Sequence, residues 1–397
     1  MKPFLAPDIG IARSKLRAIV ALFFAHVAFF SIAAATTIRA ARAADPDARL
    51  VVDNLDDGDV LRYPVALLSG RMKGVADGAI VVENFSSSLS SRIARARIYN
   101  ERFKILVELV PGVNELSIAA CGARINFMLL YRKLERPRVV RLIYFALDAE
   151  IGSERDAFAP LPNDSRVARR LQTAARLWQT ATAESMRDAG FGRQTFALET
   201  RDGNDAIVWR QRGKEAAAEY LLKSSDELFN TIRREITTGA FSNDQCCYFV
   251  LVDLPKNGAY SERTKRLALG GANVALFDAA LIESYPEELA DVGEILEDAS
   301  PISREWSKDS AYRDVRWALV SSTLGAGLHE LGHAFGLEHS NDPNDFMSRG
   351  FDRFNRIFTV VEPPCALSNG GEFSEKEKAK WSGRNAARLA RSRWIYE

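Results

Sequence analysis

His333 follows His329 by four positions, so on a helix both imidazoles leave the same face one turn apart. Two imidazoles in that arrangement can grip one Zn²⁺. Glu330 sits beside the first of them, about 100° round the helix, close enough to work on a metal-bound water without being forced to ligate. Gly336 is where the helix should stop, because glycine accepts the left-handed conformation that ends helices and turns the chain. The turn would bring His339 back as a third ligand. Three protein ligands leave a fourth position open, which is the pattern of catalytic rather than purely structural zinc. The chain has four histidines, and three of them fall in this one stretch; the fourth is His26.

Leu324, Leu328, Leu331 and Phe335 form an apolar stripe at helical spacing, which would pack the helix that carries the site. The run HELGHAFGLEHS resembles the zinc signature of the metzincin metallopeptidases, HExxHxxGxxH, which fixes five positions within eleven residues. Ser340 and the step from His339 to Met347 look most like the matrixin branch. The resemblance implies a Zn²⁺ cofactor held by His329, His333 and His339, with Glu330 as general base and Met347 as the Met-turn residue beneath the metal. It implies a zinc endopeptidase acting on protein or peptide substrates. Some metzincins carry a tyrosine two residues after that methionine; here the position is Arg349, which could support an oxyanion or pair with a nearby carboxylate. Phe346, Phe351 and Phe354 are candidates for the walls of a specificity pocket, with at least two expected in the core. The rival from another class is an extracytoplasmic binding or adhesion protein with a structural or vestigial zinc site. Glu330 argues against it, since a purely structural site has no need of that carboxylate.

The 397 residues carry 53 basic and 52 acidic side chains, a net charge of +1, which gives no electrostatic footprint for nucleic acid. Lys2, Arg13, Lys15 and Arg17 precede the apolar run Ala18–Ala35, and Ala41-Arg42-Ala43 supplies small residues for a cleavage site. Residues 1–43 therefore read as a secretory signal peptide, with an uncleaved signal anchor as the alternative. The expected location is secreted, periplasmic or otherwise extracytoplasmic, without a stable membrane span after cleavage. Cys121, Cys246, Cys247 and Cys365 allow three disulfide pairings, and a bond from Cys246 or Cys247 to Cys365 is one candidate. Cys121-Gly122 also invites comparison with a thiolate that blocks zinc before activation. The sequence does not fix the oligomeric state.

Residues 45–136 read as short strands: Leu50–Val52, Val60–Ser69, Ala79–Asn84, Ile93–Tyr99, Phe103–Val110, Glu115–Ala119 and Ile125–Tyr131. Turn signals such as Asp77-Gly78 and Cys121-Gly122 separate them, suggesting a small all-β sandwich; a propeptide is the other reading. From residue 138 to 397, α and β alternate. Val139–Leu147 and Cys246–Leu254 are apolar strands; Ser165–Ala189 and Lys214–Ile236 have helical periodicity; Tyr312–Phe335 carries the metal motif; Ser374 opens a capping box before a terminal helix. Leu269–Phe277 reads as one edge strand on which a substrate peptide could add, with Gly271, Asn273 and Ala275 as contact positions. The segments PVALLSGRM, RFKILVELVPGVNEL, LGGANVALF and FMSRGFDRFNRIFT resemble a family of zinc metallopeptidases with a β-sandwich ahead of the protease domain. The predicted class is α+β: an N-terminal β-sandwich, then a metzincin-like domain of twisted mixed sheet, zinc helix, Met-turn and C-terminal helix.

Overall fold

The computed structural model describes residues 49–396, apart from 88–89, 148–157, 202–204, 240–241 and 255–266. The expected signal peptide lies outside the described residues. Among them, no helix is long and apolar enough to cross a membrane. Residues 49–397 form one compact unit.

The first layer is β1 (Leu50–Val52), β2 (Val60–Leu61), β3 (Val65–Met72), β4 (Asp77–Asn84), β5 (Ile93–Tyr99), β6 (Arg102–Glu108), β7 (Gly112–Ala120) and β8 (Ala123–Tyr131). They hydrogen-bond in the order β1-β3-β6-β5-β4-β7-β8-β2, a single ladder where two facing sheets were expected. The ladder nearly divides, because β5 and β6 are joined only through Tyr99 opposite Arg102. The predicted strand Val60–Ser69 is broken in two at Tyr63-Pro64, since proline has no N–H to give a ladder. The turn expected at Asp77-Gly78 lies earlier, at Gly74 with φ 80°, and Asp77-Gly78 opens β4.

The second sheet holds β9 (Val139–Ala146), β10 (Phe158–Pro160), β12 (Val208–Arg212), β13 (Cys246–Asp253), β14 (Ala268–Gly271) and β15 (Val274–Asp278); a short β11 (Thr195–Phe196) pairs elsewhere. Its order is β10-β12-β9-β13-β15-β14, four parallel strands with an antiparallel strand on each edge. β13 is buried along nearly its whole length, as a central parallel strand should be. Its alternate side chains enter two cores. Cys247, Phe249 and Leu251 face α1 (Arg166–Asp188) and the metal-motif helix; Cys246, Tyr248, Val250 and Val252 face the opposite layer, α2 (Ala217–Leu221) and α3 (Ser225–Thr238). All four cysteines are free thiols, so the Cys365 disulfide does not form. Burial pushes the Cys246 thiol up to about 11 and the Cys247 thiol higher.

Several boundaries differ from expectation for local reasons. The predicted helix Lys214–Ile236 is two helices, because Ser224 and Glu227 form a reciprocal capping box that starts α3 afresh. The predicted strand Leu269–Phe277 is the hairpin β14–β15, turned by Ala272 and Asn273 at φ 47° and 65°. The Ser374 capping box is present but closes one 3₁₀ turn; the terminal helix begins after Ser382.

The two sheets meet through a polar seam centred on α1. Ser165 caps it, and from Leu171 to Met186 it is buried all round, having sheet on both sides. Thr180 donates to the Val65 carbonyl of β3 at 2.9 Å. Glu184 accepts from Tyr63 at 3.2 Å, Arg193 at 2.8 Å and Asn54 at 3.3 Å, and pairs with Arg187 at 2.6 Å. Arg176 reaches Glu108 at 2.9 Å.

Candidate metal centre

The helix that carries the motif follows α4 (Val292–Leu296) and is α5 (Arg316–Ala334). It starts later than its apolar pattern suggests, because Ala311, Tyr312 and Asp314 have positive φ and cannot be helical. Its core stripe packs on α1 and the sheet: the Trp178 indole donates to the Leu324 carbonyl at 2.8 Å and lies 4.6 Å from the Phe249 ring centre, tilted by 51°. At its end the Leu337 N–H bonds to Gly332 O and the Gly336 N–H to His333 O, each at 3.0 Å, with Gly336 at φ 92°. That is a Schellman cap, and the left-handed residue in it is the glycine expected to turn the chain.

The turn brings His329, His333 and His339 together. Their ligand atoms lie within 4.8 Å of one another, the one such group of three among the described residues. His333 Nε2 is 3.1 Å from both His329 Nε2 and His339 Nε2. His329 donates from Nδ1 to the Phe346 carbonyl at 2.6 Å, and His333 from Nδ1 to the Leu337 carbonyl at 2.9 Å. A carbonyl can only accept, so each Nδ1 holds a proton, and in the neutral ring Nε2 is then a bare lone pair. Burial pushes His329 down to about 4 and lowers His333, which keeps both rings neutral at pH 7. Facing lone pairs repel; a cation between them removes the conflict. Zinc–nitrogen bonds of about 2.0–2.1 Å at tetrahedral angles would put the nitrogens roughly 3.3 Å apart. The donor set therefore fits a divalent metal, and the carbonyls behind the rings fix the tautomers that ligation needs.

Glu330 is on the same helix but its carboxylate is not part of the convergent group. It is buried, and burial alone pushes its carboxyl up to about 8. Met347 is fully buried beneath α5. Gly332 makes room for it: a Cβ there would lie 2.5 Å from the Met347 sulfur. Met347 therefore packs closely against α5 at Gly332.

Sequence reasoning missed what holds this methionine. Asp345 is fully buried, accepts from the Met347 N–H at 2.9 Å and from Asn385 at 2.7 Å, and so ties the turn to α7 (Gly383–Leu389), which follows the one-turn α6 (Asn355–Phe358). The only signal was an Asp two residues before the methionine. Phe346 and Phe354 are core residues, while Phe351 meets the His329 ring edge-on at 5.2 Å. Arg349 pairs with Asp352 at 2.7 Å.

The three proposed substrate contacts part company. β14 is the edge strand, and Gly271 ends it. Gly270 packs so closely on the Glu330 carbonyl and His333 that a side chain there would collide with them. Asn273 is in the turn. Ala275 lies on β15, hydrogen-bonded between β14 and β13 and fully buried, so it cannot receive a peptide; the hairpin, not a single strand, puts it inside.

A histidine-triad metal site on an HExxH helix, packed beneath a mostly parallel sheet, belongs to a metallopeptidase. The chain is a member of the metallopeptidase family described as "Putative peptidase family", which matches residues 49–395. It is 23% identical over 362 residues to a Schizosaccharomyces pombe protein described as a "Putative zinc metalloproteinase", covering 84% of this chain and 58% of that protein. A Saccharomyces cerevisiae protein of the same description is 23% identical over 342 residues, covering 75% of this chain and 48% of that protein. The chain thus spans about half the length of these curated relatives. Among solved structures, catalytically inactive OgpA from Akkermansia muciniphila in complex with an O-glycopeptide substrate is similar at 17% identity and a TM-score of 0.38, covering 65% of this chain and 60% of that one.

Proposed function

We propose that this protein is an exported zinc endopeptidase in which His329, His333 and His339 hold the metal and Glu330 is the general base. The observation that carries the reading is the convergence of three Nε2 atoms, His333 lying 3.1 Å from each of the other two, with His329 and His333 backed by Nδ1–H bonds to main-chain carbonyls. Bound Zn²⁺ supplies Lewis acidity, lowering the pKa of a water and polarising the scissile carbonyl. Glu330 takes a proton during attack and returns it to the leaving amine; its buried setting raises the carboxylate's appetite for that proton. β14 offers the main-chain groups of a sheet edge to an extended peptide, Gly270 letting it lie close on α5 beside His333 and Gly271 leaving open space at its end. The first eight strands, which nearly part between β5 and β6, act as a sandwich-like unit of residues 45–136 ahead of a metzincin-like domain of residues 138–397. The leader at residues 1–43 supports export.

The test pairs the wild type with Glu330→Ala on a library of unstructured peptides, with and without a zinc chelator, read by mass spectrometry. Internal cuts by chelator-free wild type alone, with the metal retained by the variant, support the assignment. Cuts by Glu330→Ala, or loss of metal from it, would sink the role given to Glu330.

A further inference from the structure

The turn after Met347 sets a fixed cation beside the metal-binding group. Phe351 meets His329 edge-on at 5.2 Å and 69°. The Arg349 guanidinium lies over the outer side of this wall, 4.9 Å from the Phe351 ring centre. These two contacts therefore put the charge within about 10 Å of the His329 ring, a span that an extended peptide covers in about three residues. Arg349 is also preorganised. Asp352 Oδ2 takes its Nη2 at 2.7 Å, and Phe351 supports its face, yet the side chain is 66% exposed.

Asp352 is buried and stands between two guanidiniums, since Arg313 also acts on its carboxylate and reaches its carbonyl at 3.5 Å. Asp352 thus faces both guanidiniums, and Arg313 is also drawn toward Glu362. A guanidinium carries five N–H donors in a rigid fork, and one edge of Arg349 suffices for Asp352. The edge strand β14, Ala268-Leu269-Gly270-Gly271, which packs on α5 at Glu330 and His333, carries no charged side chain. Arg349 thus offers a peptide bound near His329 a pinned, exposed fork suited to a carboxylate.

We infer that Arg349 is a specificity-determining residue that selects peptides carrying an aspartate, a glutamate or another carboxylate within about three residues of the bond cut. This rests on the peptidase reading, with the substrate class added to it. Arg349 is assigned no part in the bond-breaking step.

Two measurements separate the ideas. In the first, the zinc-loaded full-length protein, Arg349→Gln and Arg349→Glu each digest a proteome-derived peptide library. Wild type should enrich Asp and Glu about fivefold near the cut; Arg349→Gln should lose the enrichment, and Arg349→Glu should favour Lys and Arg. Equal profiles for wild type and Arg349→Gln overturn the inference. In the second, the Glu330→Ala protein binds a fluorescein-labelled peptide containing Asp and Glu, or the same peptide with Asn and Gln. The acidic peptide should bind about tenfold tighter, and adding Arg349→Gln should abolish the difference. An uncut library with tenfold acid-selective binding would refute the peptidase reading and leave Arg349 as a carboxylate-binding residue only. Cutting without acid preference would do the reverse.

Discussion

Removing the Glu184 carboxylate should cost about 3–5 kcal/mol of folding stability, the range for breaking a buried ion pair by deleting one partner. The side chain is 4% exposed and is shared by Arg187 and Arg193, which are 28% and 17% exposed. Tyr63 and Asn54 also donate to it. In Glu184→Ala two guanidiniums lose their countercharge and a buried hydroxyl loses its acceptor. Because both arginines keep some access to water and other partners, the lower end, about 3 kcal/mol, is the expected value. With a urea slope near 3 kcal/mol/M, that shifts the midpoint by about 1 M. The assay is equilibrium urea denaturation followed by tryptophan fluorescence, with Asp53→Asn as internal control. Asp53 pairs with Arg71 at 2.9 Å, but the two side chains are 36% and 52% exposed, so its loss should cost less than about 1 kcal/mol. Glu184→Gln keeps the shape and some hydrogen bonds and should fall between the two. A Glu184→Ala cost no larger than the Asp53→Asn cost would refute the reasoning: the seam would then be held by something other than its buried charge.

Other expectations follow from the same geometry. His339→Ala should lower metal affinity by at least tenfold, read by metal content after dialysis, because it removes one of three convergent donors; unchanged content would remove His339 from the ligand set. Met347→Leu should cost up to about 1.5 kcal/mol, the usual range for a volume-conserving core swap, with hydrolysis reduced less than stability; an inactive, equally stable variant would give Met347 a chemical role instead. Lys104 is buried, and desolvation lowers it from 10.5 to about 8 against the pull of Glu375. Between those values the unfolded chain binds a proton that the folded one does not, so wild-type stability should rise with pH through this window by up to about 3 kcal/mol relative to Lys104→Met. A wild-type-minus-variant difference that is flat or falls from pH 8 to 10.5 would contradict the burial of that charge.

The metal group was legible because its information is local. Two histidines four apart and a glycine three residues on need only a helix and a cap to meet a third histidine, and both were present. Strand β13 was legible for a similar reason: a continuous apolar run has few places to go but the middle of a parallel sheet. What stayed hidden depended on partners far along the chain or on single backbone angles. Ala272 and Asn273 carry no glycine, yet both adopt positive φ, and that choice turns one predicted strand into a hairpin and moves Ala275 from the substrate edge to the interior. Asp345 reads as one more acidic residue in a loop; only Asn385, forty positions later, makes it the buried tie beneath the metal. Glu184 sits in a helix whose period predicts a single apolar face, but α1 is covered on both sides, so its polar residues become a seam rather than a surface. Arg349 shows the intermediate case. Its place two residues after Met347 marked it as a candidate for chemistry, and the sequence left open whether it faced an oxyanion or a carboxylate. Asp352, one helical turn on, answers that by pairing with it. The rest of the fork still faces solvent, which is why its remaining role is argued as choice of substrate rather than catalysis.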